Sequence, residues 1–216
     1  PGRLYVGMCA VGQSMQWATV VSWSAALQHV KERLDQGADI SGLDPYWTLV
    51  GYFNAIRELA AAQSVVGQDI VGRIGHVGRR NGAEPRFSHL PSMIDLSSRT
   101  DSDRLPGLLS QLSETQGADV VVATSMFGTG IDIDRLGMMF VSGQPKTTSA
   151  YIQSTGRVGR KGGGLVVTNL RAGRPRDLNH YEFFVSYHNE IYKHVEPVSV
   201  QPFSPKSVAM ALGPTI

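Results

Sequence analysis

The chain has a single cysteine, Cys9. That excludes a disulfide framework within it and any zinc cluster built on cysteines, and it fits a reducing, cytoplasmic compartment. The six histidines are scattered, with no HExxH and no closely spaced pair, so no metal site is expected. No apolar run reaches the roughly 18 residues of a membrane-spanning helix, so no membrane partner is expected. The first residue is Pro1 rather than methionine, and the sequence reads as a fragment or processed piece of a longer protein. Acid is missing locally: no Asp or Glu occurs from Arg135 to Arg176.

What is present is an ordinary globular composition. Of 216 residues, 42% are hydrophobic, enough for one large domain with a real core. Net charge is only +2, but it is uneven. The acid-free span holds Arg135, Lys146, Arg157, Arg160, Lys161, Arg171, Arg174 and Arg176. A second basic cluster is Arg73, Arg79, Arg80 and Arg86. Any one of these fits a solvated surface; together they point to a polyanion, either nucleic acid or nucleotide phosphates.

Periodicity predicts alternating helices and strands. Residues 17–34 carry the apolar stripe of a helix in Trp17, Val20, Val21, Leu27, Val30 and Leu34. A loop is expected from Gly37 to Pro45, a buried strand over Trp47 to Phe53, and a helix from Asn54 to about Val66. The Gly- and Arg-rich segment Gly67 to Pro91 predicts a strand near Ile70–Ile74 and then an exposed loop. Further strands are expected at Met93–Leu96, Asp119–Thr124, Met138–Ser142 and Leu165–Asn169, with a helix over Asp103–Ser113. Apolar strands separated by helices imply an α/β fold, a parallel sheet covered on both faces. In such sheets ligands bind at the carboxyl ends of the strands.

Two segments carry chemistry. In Tyr151-Ile152-Gln153-Ser154-Thr155-Gly156-Arg157-Val158-Gly159-Arg160, two arginines stand three apart, each after a glycine. On a helix, positions i and i+3 share a face, and two guanidinium forks there would clamp a polyphosphate. That suits stabilising charge on a transferring phosphoryl group. The other segment, Thr124 to Asp134, leaves a buried strand with small hydroxyls, two glycines and two acids. It suits a sugar hydroxyl or phosphate, and it equally fits an ordinary strand-to-helix loop.

Three lookalikes fail. Ser142 to Thr148 suggests a Walker A loop, but Pro145 precedes Lys146 where a glycine belongs. Gly128-Thr129-Gly130 suggests a dinucleotide fingerprint, but Ile133 replaces its third glycine. Gly162-Gly163-Gly164 reads as a turn into a strand. No Asp-Glu pair follows an apolar strand, so Walker B acids are missing too. The chain is therefore expected to carry no Mg-ATP cradle of its own, and a kinase or NAD dehydrogenase becomes a distant third reading.

The segment Gln153 to Arg160 resembles motif VI of superfamily 2 helicases, the QxxGRxGR form. Val122-Ala123-Thr124-Ser125 through Gly130-Ile131-Asp132 resembles motif V, and Thr48 to Asn54 resembles motif IV. Leu96-Ser97-Ser98-Arg99-Thr100 sits where a further backbone-binding motif belongs. Order and spacing fit together over residues 45–170, so the resemblance is to the second RecA-like domain of a helicase core. Motif V departs from its commonest form, since Ser125 replaces an acid, which argues against the DEAD-box group proper.

The resemblance implies roles. Arg157 and Arg160 correspond to arginines that reach across an interdomain cleft to ATP, held with Mg mainly by a first RecA-like domain absent from this chain. Gln153 sits beside that cleft, and Gly130 and Asp132 match positions near ribose and phosphates. Thr124 matches a contact to the nucleic-acid backbone, with Ser125, Ser97, Ser98 and Arg99 as neighbours along a single strand of DNA or RNA. The expected organisation is a helical extension over 1–44, the RecA-like domain over 45–170, and a helical extension with a Pro-rich linker over 171–216. The flanks Leu4 to Met8 and Arg174 to Glu182 are similar to large bacterial helicases of the DISARM antiviral defence type. Asn179 and Glu182 are expected to cap a helix whose face carries Phe184, Tyr187, Ile191 and Val195. The functional expectation is half of an ATP-dependent helicase or translocase, inactive as a hydrolase alone. The alternative is a non-enzymatic binding or assembly module derived from one.

Overall fold

The computed structural model describes residues 2–128 and 131–197, together with 205 and 208. Six parallel strands form one sheet in the order β1-β6-β5-β2-β4-β3. They are β1 (Arg3–Cys9), β2 (Leu49–Phe53), β3 (Met93–Leu96), β4 (Val120–Ala123), β5 (Met138–Ser142) and β6 (Gly164–Leu170). The helices are α1 (Met15–Asp35), α2 (Ile40–Trp47), α3 (Ile56–Val65), α4 (Val71–Asn81), α5 (Leu105–Ser113), α6 (Thr148–Thr155), α7 (Pro175–Glu182) and α8 (Phe184–Asn189).

The apolar strands explain the layering. Successive side chains point to opposite faces. Val50, Tyr52, Val121, Ala123, Met139 and Val141 therefore join one core, with Tyr151 of α6 and Leu112 of α5. Leu49, Phe53, Val120, Val122, Met138 and Phe140 join the other, with Trp23 and Leu27 of α1 and Leu59 of α3. Both faces are covered, as the α/β reading expects. Gly51 in β2 is required by close approach: a Cβ there would lie 2.7 Å from Cζ2 of Trp23.

Four expectations are corrected. The stretch expected as a loop to Pro45 forms α2, capped by Asp39, whose carboxylate accepts from the Ser41 amide at 3.2 Å. Pro45 lies inside this helix, where the carbonyl that loses a donor belongs to the exposed Ser41. The strand and loop expected after Gly67 are a turn of π-helix over Val66–Ile70 running into α4. Ile70 and Ile74 are both fully buried, and their spacing of four is a helical face that the intervening glycine obscures.

The third correction is at the N-terminus. Residues 1–44 are not only helical, because β1 pairs with β6 from Arg3↔Gly164 to Cys9↔Leu170. The fourth is the cap of α7. That helix begins at Pro175 with Arg174 as its N-cap and no side-chain capping bond, so Asn179 lies inside it. Pro at the first helical position sets the start where its missing N–H is harmless. Beyond it, Tyr187 is buried and Ile191 packs on the core, whereas Val195 is exposed. Most of the Pro-rich stretch lies outside the described residues.

Candidate nucleotide and strand-facing site

The site grows from the carboxyl ends of neighbouring strands. Leu96 of β3 pairs with Ala123 of β4, so Ser97 and Thr124 leave the sheet side by side. The Thr124 amide donates to the Leu96 carbonyl at 3.4 Å, which joins the two exits. Thr124 and Ser97 are buried, while Ser125, Ser98 and Arg99 are exposed. The Ser97 hydroxyl accepts from the Arg99 amide at 3.3 Å and shapes the turn. Arg99 is held from below: it donates to Asp95 at 2.5 Å and to Gln63 at 2.8 Å. After Thr124 a short 3₁₀ turn, Ser125–Gly128, buries Phe127 completely and so fixes the loop to the core.

The motif VI helix is α6. Thr147 caps it, its hydroxyl accepting from the Ala150 amide at 3.2 Å. Tyr151, Ser154 and Thr155 face inward and Gln153 faces out. Gln153 lies alongside Gly128, where an added Cβ would stand 3.9 Å from its own.

The two arginines do not share a helical face, contrary to expectation. Helix α6 ends at Thr155, and Gly159 takes the left-handed conformation at φ +65°. A Cβ on Gly159 would meet the Cα of Gly164 at 2.6 Å, so the turn is closed on glycine. The arginines converge all the same, on the motif V segment. Arg157 donates to the carbonyls of Ile131 at 2.9 Å and Gly128 at 2.6 Å. Arg160 forms an ion pair with Asp132. Next to it, Lys161 pairs with Asp134 at 2.6 Å, and that hydrogen bond and charge raise the lysine's pKa. A cleft of about 560 Å³ opens here, lined among others by Asp132, Asp134, Lys161, Asp44 and Gly159. Gly130 lies outside the described residues.

Two supporting residues escaped the sequence reading. Arg3 of β1 donates from Nε to the Val158 carbonyl at 2.7 Å and from Nη2 to that of Gly156 at 3.0 Å. No local pattern signals this contact, since 153 residues or more separate the partners. Asp177 is buried and accepts from the amides of Gln144 at 3.3 Å and Arg171 at 3.1 Å, tying the exits of β5 and β6 together. Its only signal was a lone acid just past the basic span.

Two guanidinium groups suit one side of a nucleotide polyphosphate, and the exposed Asp132 carboxylate suits a sugar hydroxyl; among the described residues no loop wraps phosphates. Among the described residues no group of three or more His, Cys, Asp or Glu stands close enough to hold a metal ion. No helix among them is long and apolar enough to cross a membrane.

Comparison with known proteins bears on the fold and the family resemblance. Residues 94–162 match the helicase conserved C-terminal domain. The chain is 40% identical over 210 residues to the DISARM protein DrmA of Bacillus paralicheniformis, a match covering 96% of this chain and 19% of that protein. It thus spans about a fifth of that relative's length. Among solved structures it resembles the DUF1998 helicase MrfA bound to DNA and AMPPNP, with TM-score 0.69 and 15% identity over 96% of this chain and 25% of that one. It also resembles the Mycobacterium smegmatis helicase Lhr bound to ssDNA and AMP-PNP, with TM-score 0.56 and 15% identity over 92% of this chain and 23% of that one. The fold is therefore RecA-like, and the resemblance to the C-terminal domain of superfamily 2 helicases and to DrmA is borne out.

Proposed function

We propose that this chain supplies one wall of the nucleotide site and part of the strand-binding surface of an ATP-driven nucleic-acid helicase or translocase. A first RecA-like domain in a longer protein would supply the other wall and the ligands of magnesium. The observation that carries this reading is the convergence of Arg157 and Arg160 on Gly128, Ile131 and Asp132. The same segment continues the β4 exit that carries Thr124 and Ser125. A change at the arginines is thereby coupled to the surface facing the strand.

The two arginines would divide the work. Arg157 is bound by two main-chain carbonyls and positions the loop. Arg160 is held by one exposed carboxylate, a partner that exchanges readily for phosphate oxygens. Gln153, Asp132 and Gly130 would then line the ribose and phosphates. Bound ATP with magnesium supplies the phosphoryl group whose transfer drives the motor. Thr124, Ser125, Ser97, Ser98 and Arg99 would contact sugar and phosphate of a single DNA or RNA strand without reading its sequence. Similarity to a DISARM protein supports a role in defence.

The test is ATP turnover in a protein joining this chain to its first RecA-like domain, with DNA and RNA strands as stimulants. Arg160→Ala should lower turnover by about 10³–10⁵ while nucleic-acid binding persists. Unchanged turnover would refute the reading and favour a binding or assembly module.

A further inference from the structure

The two basic clusters of the sequence meet different fates. In the acid-free span, Arg135, Arg160, Lys161, Arg171 and Arg174 pair with acids from elsewhere in the chain. Arg157 and Arg176 donate to main-chain carbonyls. In the second cluster Arg86 is buried against Asp119 and lies over the Trp47 ring. Arg73, Arg79 and Arg80 form no ion pair among the described residues. All three are on α4, whose Ile74 packs into the core with Trp23, on the face of the sheet opposite α6.

Positions 73, 76 and 80 follow the i, i+3, i+7 spacing of one helical stripe, with Arg79 beside it. From Arg73 to Arg80 the helix rises about 10 Å, long enough to meet more than one phosphate in a row. The Nε of Arg73 is buried and has no hydrogen-bond partner among the described residues. At the Arg73 end the stripe opens into a groove of about 510 Å³ between α1 and α4, and Trp17 lines it. Trp17 is 47% exposed, unlike Trp23, which fills the core from the same helix. The acids nearby are Asp69, Glu32 and Glu84. Asp69, which lines the same groove, accepts from the Gln16 amide at 3.1 Å, and Glu32 accepts from Gln28 and Asn81 at 3.0 Å each; both keep their charge but neither forms an ion pair with these arginines.

An exposed indole beside unpaired guanidinium groups is the pairing that holds unstacked bases and their phosphates. We propose that the groove and the α4 stripe form a second binding surface for single-stranded nucleic acid. A base stacks on Trp17, and Arg73, Arg79 and Arg80 meet the backbone. This surface shares no residue with the motif V and motif VI loops and does not depend on ATP.

The experiment uses this chain with fluorescein-labelled single strands of about 12 nucleotides, in DNA and RNA forms, and a blunt duplex. Binding is read by anisotropy across a salt series, and base stacking by quenching of indole fluorescence. R73E/R79E/R80E should weaken single-strand binding by 10-fold or more and reduce the salt slope by roughly 2, about 0.7 for each lost contact. W17F should abolish most of the quenching, and circular dichroism should show both variants folded. Preference for DNA or RNA names the strand chemistry, and either supports the surface. Wild-type affinity in the charge-reversal variant, or quenching that survives W17F, overturns it. Arg99→Ala on the other surface separates the two readings. If only the α4 variant is silent, this proposal fails alone; if both are silent, the strand contacts of the proposed function fail with it.

Discussion

Arg3 holds the Val158 carbonyl at 2.7 Å, so the first strand of the chain fastens the turn that carries Arg157 and Arg160. A second bond from the same guanidinium, to Gly156, makes the brace two-pronged. Edge strand β1 therefore fixes the arginine loop as well as extending the sheet.

Removing this brace should be felt in both stability and turnover. Arg3→Ala loses two charge-assisted bonds to partly buried carbonyls, a cost of about 1–3 kcal/mol. A melting curve of this chain measures the first effect. ATP turnover of the longer protein measures the second, which should fall without loss of strand binding. An unchanged melting temperature would show that the brace is incidental.

The motif VI arginines should separate by readout. Arg160 and Asp132 are 32% and 62% exposed in their side chains, so breaking that pair should cost no more than about 1 kcal/mol. Arg157→Ala strands two carbonyls and should cost about 1–3 kcal/mol. Thermal melts should therefore register Arg157→Ala and barely register Arg160→Ala, while both abolish turnover.

Gly51 reports on the core. Any side chain there meets the Trp23 ring, so Gly51→Ala should destabilise by about 1–3 kcal/mol. Trp23→Leu opens that space, so the double variant should lose less than the sum of the two singles. Denaturant titration of the four proteins gives the coupling, and simple additivity would contradict the packing described.

The histidines of the C-terminal helices should make stability depend on pH. The Nδ1 of His188 donates to the Phe184 carbonyl at 2.7 Å, so its Nε2 accepts from the Tyr151 hydroxyl at 3.0 Å. Burial lowers the pKa of His188 below 6.5, and burial together with Arg176 lowers that of His180. The unfolded chain therefore binds protons more readily than the folded one near and below pH 6.5. Stability should be level above that range and fall as pH drops through it. Melting temperatures between pH 5 and 8 test this, and His188→Gln should flatten the slope.

Much of the site was legible in local pattern. Strands β2, β4 and β5 are apolar runs, and Thr124, Asp132, Gln153, Arg157 and Arg160 were singled out through the resemblance to helicase motifs in their order and spacing. What stayed hidden depended on backbone conformation or distant partners. The shared helical face of the two arginines was a sound inference from a spacing of three, but Gly159 turns the chain before a helix can form there. Helix α4 and the π-turn before it were hidden because glycines break their apolar pattern, and burial of Ile70 in the turn and Ile74 in the helix reveals the inward face.

The sequence by itself determined the α/β class and the parallel sheet and singled out the candidate segments for phosphate and strand chemistry, because period, apolar runs and motif spacing are local properties. The tertiary structure decided which charges are free. Eight bases without an intervening acid looked like the polyanion surface, yet five of them find carboxylates brought in from Glu58, Asp44, Asp132 and Asp134. The guanidinium groups of Arg73, Arg79 and Arg80 find none among the described residues. Ion pairing acts through space over a few ångströms, so no count along the chain distinguishes a neutralised arginine from one still open to a ligand.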